Sequence, residues 1–249
     1  MASGNPPQEQ NSMYPEESLQ AFVASPTSSW WTTNKCHDLR RGRLLLAFVP
    51  HVDLVPMTMV PEGRSSPTDH TKANYSLQAL NINEPSKYSR LPVAALPLYE
   101  GEDRVVYRAK KRPVLVVSSG GPEIPKALRS SSKPKWQTSP TVLVAPYYGA
   151  DEGVPRAGWY PELVKRIQRC EYPQYMWDKL PLSSRTNGSI LRLDHIQPIG
   201  RHHNSYEHTE YVLNEDAILA LDEWLMWIMT DKLQQDGILL PFREGLLTL

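Results

Sequence analysis

The chain has 249 residues, of which 40% are hydrophobic, and this is enough for one large domain with a core. Lys and Arg total 27 and Asp and Glu also total 27, which excludes the strongly basic class of nucleic-acid-binding proteins. The two cysteines, Cys36 and Cys170, form neither a disulfide framework nor a metal-binding spacing, and no signal peptide is seen, so a cytoplasmic location is expected. The longest apolar stretch contains Asp222 and Glu223 and is too short to cross a bilayer, so no membrane partner is expected.

The first half of the chain contains one clear strand and two atypical segments. Residues 1–29 are rich in Pro, Gln, Ser and Glu, which predicts a disordered or surface-lying segment ahead of a single domain at 30–249. The run Arg40–Pro50 predicts the first strand. Residues 51–110 mix turn residues with one apolar run, LPVAALPLY, and a connection this long predicts a functional insertion or a small subdomain.

The second half of the chain predicts three more strands and a helix. The strands are the short apolar runs Arg112–Ser118, Thr141–Tyr148 and Ser189–Ile199. A helix is expected between a cap at Asn214 and an end at Gly237. Its apolar face carries Ile218, Leu221, Leu225 and Ile228 at spacings of three and four. The predicted fold is therefore mainly β with α (α+β), a small antiparallel barrel with a C-terminal helix.

The last predicted strand carries a charge pair, Arg192 and Asp194, among its Ile and Leu residues. Side chains alternate along a strand, so these two residues are expected on one face and their apolar neighbours on the other. The charged face is therefore expected either to contact a buried charged or polar partner or to have a functional role. The structural alternative is a salt bridge that contributes about 0 to 1 kcal/mol if it is exposed.

A basic segment surrounds the second predicted strand and extends toward the third. From Arg104 to Lys135 there are nine basic residues against a single acid, Glu123. The polar connection combines Gly and Ser with four cations and with Trp136, which is the composition that single-stranded nucleic acid requires. Composition alone favours the alternative of an ordinary solvated loop.

A histidine-rich stretch, Gly200–His208, offers His202, His203, Glu207 and His208 as ligands, with His195 nearby in sequence. The spacing matches neither HExxH nor CxxC, so no metal site and no cofactor are expected. The alternatives are imidazoles near a phosphate-binding face, or no role. The chain also contains neither the GxSxG of hydrolases nor the GxxxxGK[ST] of phosphate-binding loops.

The ordered segments RGRLLLAFVP, KRPVLVVS, TVLVAPYY and GSILRLDHIQPI, followed by a terminal helix, resemble the MazF/PemK (Kid-like) family of type II toxin-antitoxin endoribonuclease toxins. The resemblance covers Arg41–Pro50 and Lys111 to about Lys232. It implies an SH3-like, PemK-like barrel of bent antiparallel strands that is usually a homodimer and is neutralised by an antitoxin protein. It also implies cleavage of single-stranded RNA without a metal, giving 2′,3′-cyclic phosphate and 5′-hydroxyl ends.

The resemblance assigns roles to four residues. The family's strand-leading arginine falls on Arg112, and the Arg-x-Asp of its PemK branch falls on Arg192 and Asp194. Asp194 is then the base for the ribose 2′-hydroxyl, and the two guanidinium groups hold the phosphate charge. Tyr148 stands where the family commonly has a threonine. The expected RNA-binding residues are Lys126, Arg129, Lys133, Lys135, Trp136, His195 and Gln197.

Two departures from the family leave other functions open. The family's short glycine-rich connection after the first strand is replaced by 51–110, and its histidine has only the candidate equivalents His70, Tyr107 and Arg108. The alternatives are a non-catalytic RNA- or protein-binding module on the same barrel, and an interaction component of a defence system with an acidic partner. The tryptophans of the helix, Trp224 and Trp227, are expected in core or dimer contacts rather than as base platforms.

Overall fold

The computed structural model describes residues 14–23, 29–66, 68–69, 72–81, 83, 98, 101–128, 140–150, 159–182 and 188–247. The chain forms two compact units. The main unit comprises Met1–Ala47 and Arg112–Leu249, and the small unit is Phe48–Lys111. The small unit covers the segment that the sequence predicts as an insertion.

The helices and strands are numbered in chain order. The strands are β1 (Trp31–Thr33), β2 (Arg43–Pro50), β3 (Met57–Gly63), β4 (Asn74–Ala79), β5 (Val105–Val106), β6 (Ala109–Ser118), β7 (Val142–Gly149), β8 (Tyr175–Asp178), β9 (Ser189–Arg192), β10 (Gln197–Ile199) and β11 (Tyr206–Leu213). The helices are α1 (Leu19–Val23), α2 (Pro161–Gln168), α3 (Glu215–Thr230) and α4 (Leu239–Leu247). Single 3-10 turns span Lys126–Leu128 and Leu193–His195.

An eight-stranded sheet forms the main unit, in the order β1-β11-β2-β6-β7-β9-β8, with β10 also paired to β7. The pairs on either side of β7, with β6, β9 and β10, are antiparallel. The sheet is strongly curled, so that its first and last strands are in contact. The Trp31 indole on β1 donates a hydrogen bond of 3.2 Å to Asp178 on β8, at the other end of the strand order. The prediction of an α+β small barrel is confirmed.

Both faces of the central strands are buried. One face of β6 and β7 joins the main hydrophobic core together with α3, and it carries Leu115, Val117, Ala145 and Tyr147. The alternate residues are buried on the opposite face, and they are Val114, Val116 and Val144. Burial on both faces explains why these strands are almost continuously apolar in sequence. At the ends of the two strands, Arg112 and Tyr148 continue the second face.

Helix α3 covers the core as expected, but it ends earlier. The Asn214 side chain accepts a hydrogen bond of 2.7 Å from the Ala217 backbone N–H, so the predicted cap is confirmed. Trp224 is 1% exposed and belongs to the core. The predicted end at Gly237 is wrong, because Asp231 adopts the left-handed conformation that closes a helix, with φ at 57°.

The predicted single strand Ser189–Ile199 is also wrong. Strand β9 ends at Arg192, the 3-10 turn Leu193–His195 intervenes, and β10 starts at Gln197. The two short strands pair with opposite halves of β7, since Tyr148 faces Ile190 in one pair and Val144 faces Gln197 in the other. Simple alternation therefore does not describe how Asp194 is oriented relative to Arg192.

Residues 14–23, which belong to the N-terminal segment 1–29, pack against the main hydrophobic core. Leu19 on α1 is 1% exposed, and the Gln20 side-chain amide donates a hydrogen bond of 2.5 Å to the Trp177 carbonyl. Tyr14 is buried in the same hydrophobic core. A few apolar side chains therefore attach this polar segment to the main unit, because they are buried in contact with the residues of its core.

The small unit is a three-stranded antiparallel sheet in the order β4-β3-β5. The apolar run LPVAALPLY lies outside the described residues except for Leu98. Arg104, counted above in the basic segment, is only 6% exposed. It therefore adds little to any basic surface, which corrects that part of the prediction.

Candidate functional site

Five polar and aromatic side chains meet at the edge of the second sheet face. They are Arg112, Tyr148, Arg192, Asp194 and His195, and they are called here the arginine–tyrosine cluster. Continuing the register Val114↔Pro146 by two residues sets Arg112 opposite Tyr148. Tyr148 faces Ile190 on β9, which places Arg192 diagonally across from it on the same face.

The first contact of the cluster is a cation–π interaction. The guanidinium carbon of Arg112 lies 4.2 Å from the centroid of the Tyr148 ring. This stacking fixes the Arg112 side chain without using its N–H groups. The Arg112 Nε is buried and has no hydrogen-bond partner among the described atoms. The position of Arg112 is therefore defined by its stacking on the Tyr148 ring.

The second contact is a two-pronged ion pair between Arg192 and Asp194. Arg192 Nε donates to Asp194 Oδ1 at 2.7 Å, and Nη2 donates to Oδ2 at 2.6 Å. The Arg192 side chain is 19% exposed and that of Asp194 is 34% exposed. The hydrogen bonds that Arg192 donates to Asp194 raise the pKa of Arg192, and this effect outweighs the lowering effect of burial. The guanidinium is therefore a permanent cation.

His195 links the ion pair to Tyr148. Its Nε2 lies 2.7 Å from Arg192 Nη2, and its Nδ1 lies 3.1 Å from the Tyr148 hydroxyl. A guanidinium can only donate, so Nε2 must be the acceptor in this contact. The neutral ring then carries its proton on Nδ1 and donates it to the Tyr148 oxygen. In this contact the Tyr148 oxygen accepts a hydrogen bond, so the proton of the Tyr148 hydroxyl is not the one shared with His195.

The cluster has an excess of positive charge. Two guanidinium groups face one carboxylate, and the His195 side chain beside them is only 10% exposed. Partial burial strengthens electrostatic attraction by lowering the local dielectric constant. Two guanidinium groups in such a setting can bind an anionic group, either a carboxylate or a phosphate.

The sequence-predicted residues have different outcomes. All four residues predicted for catalysis, Arg112, Tyr148, Arg192 and Asp194, are brought together. His195 and Gln197 from the RNA-binding set also lie at the site, since the Gln197 amide donates to the His195 carbonyl at 3.4 Å. Lys126 is exposed on its 3-10 turn. Arg129, Lys133, Lys135 and Trp136 lie outside the described residues, as does His70, whereas Tyr107 and Arg108 belong to the small unit.

Sequence reasoning missed the aromatic side of the site. Arg192 faces Tyr175 in the register of β8 and β9, and its guanidinium carbon lies 5.1 Å from the Tyr175 ring centroid. Tyr175 also contacts the rings of Trp159 and Tyr172. The density of aromatic residues in EYPQYMW was the available signal, but the pairing of that segment with β9 could not be read from sequence.

The histidine-rich stretch does not form a metal centre in the part of the chain that is described. No group of three or more His, Cys, Asp or Glu residues is arranged there to hold a metal ion. The His202 ring instead contacts the Ser205 hydroxyl at 2.8 Å, and His208 stacks on His37.

Two further observations concern the class of protein. Within the described ranges, no helix has both the length and the apolar character needed to cross a bilayer. No family model, curated protein or solved structure matches the chain. The resemblance to the MazF/PemK toxins therefore stays a prediction from the sequence.

Proposed function

We propose that this chain is a toxin-like endoribonuclease that cleaves single-stranded RNA by attack of the ribose 2′-hydroxyl on the adjacent phosphate, without a metal ion. The observation that carries the proposal is the convergence of Arg112, Arg192 and Asp194 with Tyr148 and His195 in one partly exposed cluster. The cluster supplies two cations, a carboxylate, an imidazole and a phenol. These groups cover the charge stabilisation and the proton transfers that the reaction needs.

The Arg192–Asp194 ion pair serves as the resting state of the site. A phosphate diester offers the Arg192 guanidinium the same forked geometry that the Asp194 carboxylate occupies at 2.7 and 2.6 Å. When the phosphate takes this place, the Asp194 carboxylate becomes available to accept the proton of the 2′-hydroxyl. Arg112, held on the Tyr148 ring, stabilises the charge that develops on the phosphate oxygens.

The leaving oxygen receives its proton from Tyr148. As the 2′-oxygen forms its bond to phosphorus and the bond to the 5′-oxygen breaks, the Tyr148 hydroxyl gives its proton to the 5′-oxygen. His195 Nδ1–H re-protonates Tyr148, and His195 Nε2 accepts the proton that Asp194 took, across 3.9 Å in the resting state. This leaves His195 with its proton on Nε2 instead of Nδ1, and proton exchange with solvent after product release restores the resting tautomer. The products are a 2′,3′-cyclic phosphate and a 5′-hydroxyl.

The same proposal includes the partners that the sequence predicts. A ribonuclease toxin in the cytoplasm must be inhibited until it is needed, so the proposal includes an antitoxin protein that covers the cluster. It also includes a homodimer, which the resemblance implies. An acidic antitoxin segment would compete with RNA for Arg112 and Arg192, because both ligands use the same two cations.

A second candidate function is RNA binding without cleavage. The observation that favours it is the occupation of both Asp194 oxygens by Arg192, which is also the geometry of a purely structural ion pair. The two candidates differ in what happens to bound RNA, since only the first gives new RNA ends.

The test is to incubate the purified chain with a mixed RNA pool in EDTA and to map the ends. Cyclic-phosphate and 5′-hydroxyl ends support the nuclease. The control is R192A beside R40A, because Arg40 forms an exposed ion pair with Asp38 of the same two-residue spacing, at 2.6 Å. Cleavage that R192A does not reduce would contradict the proposal. RNA that is bound but remains intact would support the second candidate.

A further inference from the structure

Three aromatic rings form a continuous group beside the arginine–tyrosine cluster. Tyr175 lies at its centre, with the Trp159 ring centroid 5.4 Å away and the Tyr172 ring centroid 6.3 Å away. Both contacts are edge-to-face, with interplanar angles of 84° and 69°. These three residues are called here the aromatic strip.

Arginine side chains flank these rings on two sides. The Arg192 guanidinium lies 5.8 Å from the Tyr148 ring and 5.1 Å from the Tyr175 ring, so it belongs to both the cluster and the strip. At the far end, the Arg166 guanidinium lies 5.3 Å from the Tyr172 ring. The order of groups leading away from the cluster is therefore arginine, tyrosine, tyrosine and arginine.

The strip packs against the main hydrophobic core and is only partly buried. Trp159, Tyr172 and Tyr175 pack against the main hydrophobic core, and each retains part of its surface. A ring that is already fixed loses little conformational entropy when another ring stacks on it. The charge of Arg166 is balanced by Glu171 at 2.6 Å, so the excess positive charge lies at the Arg192 end, next to the cluster.

We propose that the aromatic strip binds unpaired RNA bases next to the phosphate held by the cluster. The inference rests on the proposed function, and it assigns the strip the role of holding the substrate strand. Aromatic rings interleaved with arginines bind single-stranded nucleic acid because every base presents a π-face and every linkage carries a phosphate. The base nearest the scissile phosphate stacks at Tyr175, since Arg192 contacts that ring and belongs to the cluster. Further bases along the strand reach Tyr172 and Trp159.

The test measures binding separately from cleavage. The probe is a fluorescent single-stranded oligonucleotide with 2′-O-methyl riboses, which has no hydroxyl to attack, and its Kd is measured by anisotropy at fixed salt. The variant is Y172L, which keeps an apolar side chain against the core but loses the π-face. Stacking is worth about 1–3 kcal/mol per base, so we expect Kd to rise by about five-fold to 150-fold. The variant Y172F keeps the π-face and should retain the affinity.

The matched control is F22L. Phe22 is another half-exposed ring in a ring pair, with Phe242 at 5.4 Å, on helices α1 and α4. Its substitution should leave Kd unchanged. Unchanged affinity in a folded Y172L protein, or an equal loss of affinity in Y172F, would overturn the inference. If Y172L destabilises the fold, W159L is the second variant, with the same expected loss.

The outcome also separates this inference from the proposed function. If wild-type protein cuts no RNA but Y172L still weakens binding of the probe, the nuclease proposal is wrong and the inference about the aromatic strip is supported. If wild-type protein cuts RNA and Y172L binds the probe with unchanged affinity, the nuclease proposal is supported and the inference about the aromatic strip is wrong. For an active enzyme, Y172L should raise KM for oligonucleotides.

Discussion

The indole N–H of Trp31 donates a hydrogen bond of 3.2 Å to the Asp178 carboxyl group, and this contact joins the two ends of the curled sheet. The second oxygen of Asp178 accepts a hydrogen bond of 2.9 Å from the Tyr147 hydroxyl. Burial raises the pKa of Asp178 to about 7, although the hydrogen bonds from Tyr147 and Trp31 favour the charged form. Burial, followed by the nearby Asp178 charge, also raises the pKa of Tyr147 well above its ordinary value.

This carboxyl group makes stability depend on pH. An unfolded aspartate has a pKa of about 3.9, so between about pH 4 and pH 7 the folded state binds a proton that the unfolded state releases. The stabilisation is fully present below about pH 4 and is lost as the pH rises through about 7, by at most about 1.4 kcal/mol per pH unit. Urea unfolding of wild type and D178N from pH 4.5 to 7.5 should show this slope in wild type only. Equal slopes in the two proteins would contradict the assignment.

Replacement of Arg192 by Lys should abolish the forked contact while keeping a positive charge. A lysine cannot donate two parallel hydrogen bonds, so we expect cleavage by R192K to fall about 10²- to 10³-fold with the fold intact. The measurement is the rate of RNA cleavage under single-turnover conditions. R40K is the control, because Arg40 makes an exposed ion pair outside the cluster, and its rate should equal that of wild type.

Removal of the Tyr148 hydroxyl should separate proton transfer from positioning. Y148F keeps the ring that holds Arg112 at 4.2 Å but loses the oxygen that contacts His195. We expect kcat to fall about 10²-fold with KM within about two-fold of wild type, as for the loss of a proton donor. Y206F, on β11, is the control and should leave both constants unchanged. A large rise in KM for Y148F would instead indicate a role in binding.

Two adjacent glycines at the end of β6 offer a matched pair for stability. Gly120 and Gly121 both have positive φ, at 79° and 80°. A Cβ on Gly120 would come within 1.7 Å of the Thr141 carbonyl oxygen, whereas one on Gly121 would meet nothing within 4 Å. G121A should cost about 1–2 kcal/mol for the left-handed conformation alone, and G120A should cost clearly more. Thermal unfolding of both variants checks the difference, and equal costs would contradict the steric argument.

The cap of α3 should contribute measurably to stability. N214A removes the side-chain oxygen that accepts from the Ala217 N–H at 2.7 Å. We expect a loss of about 1 kcal/mol in the free energy of unfolding, the usual cost of losing such a cap. N204A, at an exposed position, should change the free energy by less than about 0.5 kcal/mol. Urea unfolding curves of the two variants give the comparison.

Much of the fold was predictable because local patterns and tertiary demands agree. The Val-rich runs of β6 and β7 are buried on both faces, and the Asn214 cap uses only atoms within one helical turn. The ends of elements were less predictable. Asp231 closes α3 in a left-handed conformation that glycine usually adopts, so the expected end at Gly237 lay too far along the chain.

The sequence by itself determined the apolar strands β6 and β7, the capped start of α3 and the presence of Arg112, Arg192 and Asp194 as charged residues in apolar segments. Only the tertiary structure decided that these charges meet around Tyr148, that His195 connects them, and that Tyr175 continues the site. The physical reason is that strand formation depends on neighbours within a few residues. The register that places Arg112, Tyr148 and Arg192 on one face depends instead on pairings between distant segments, which the packing of the whole core selects.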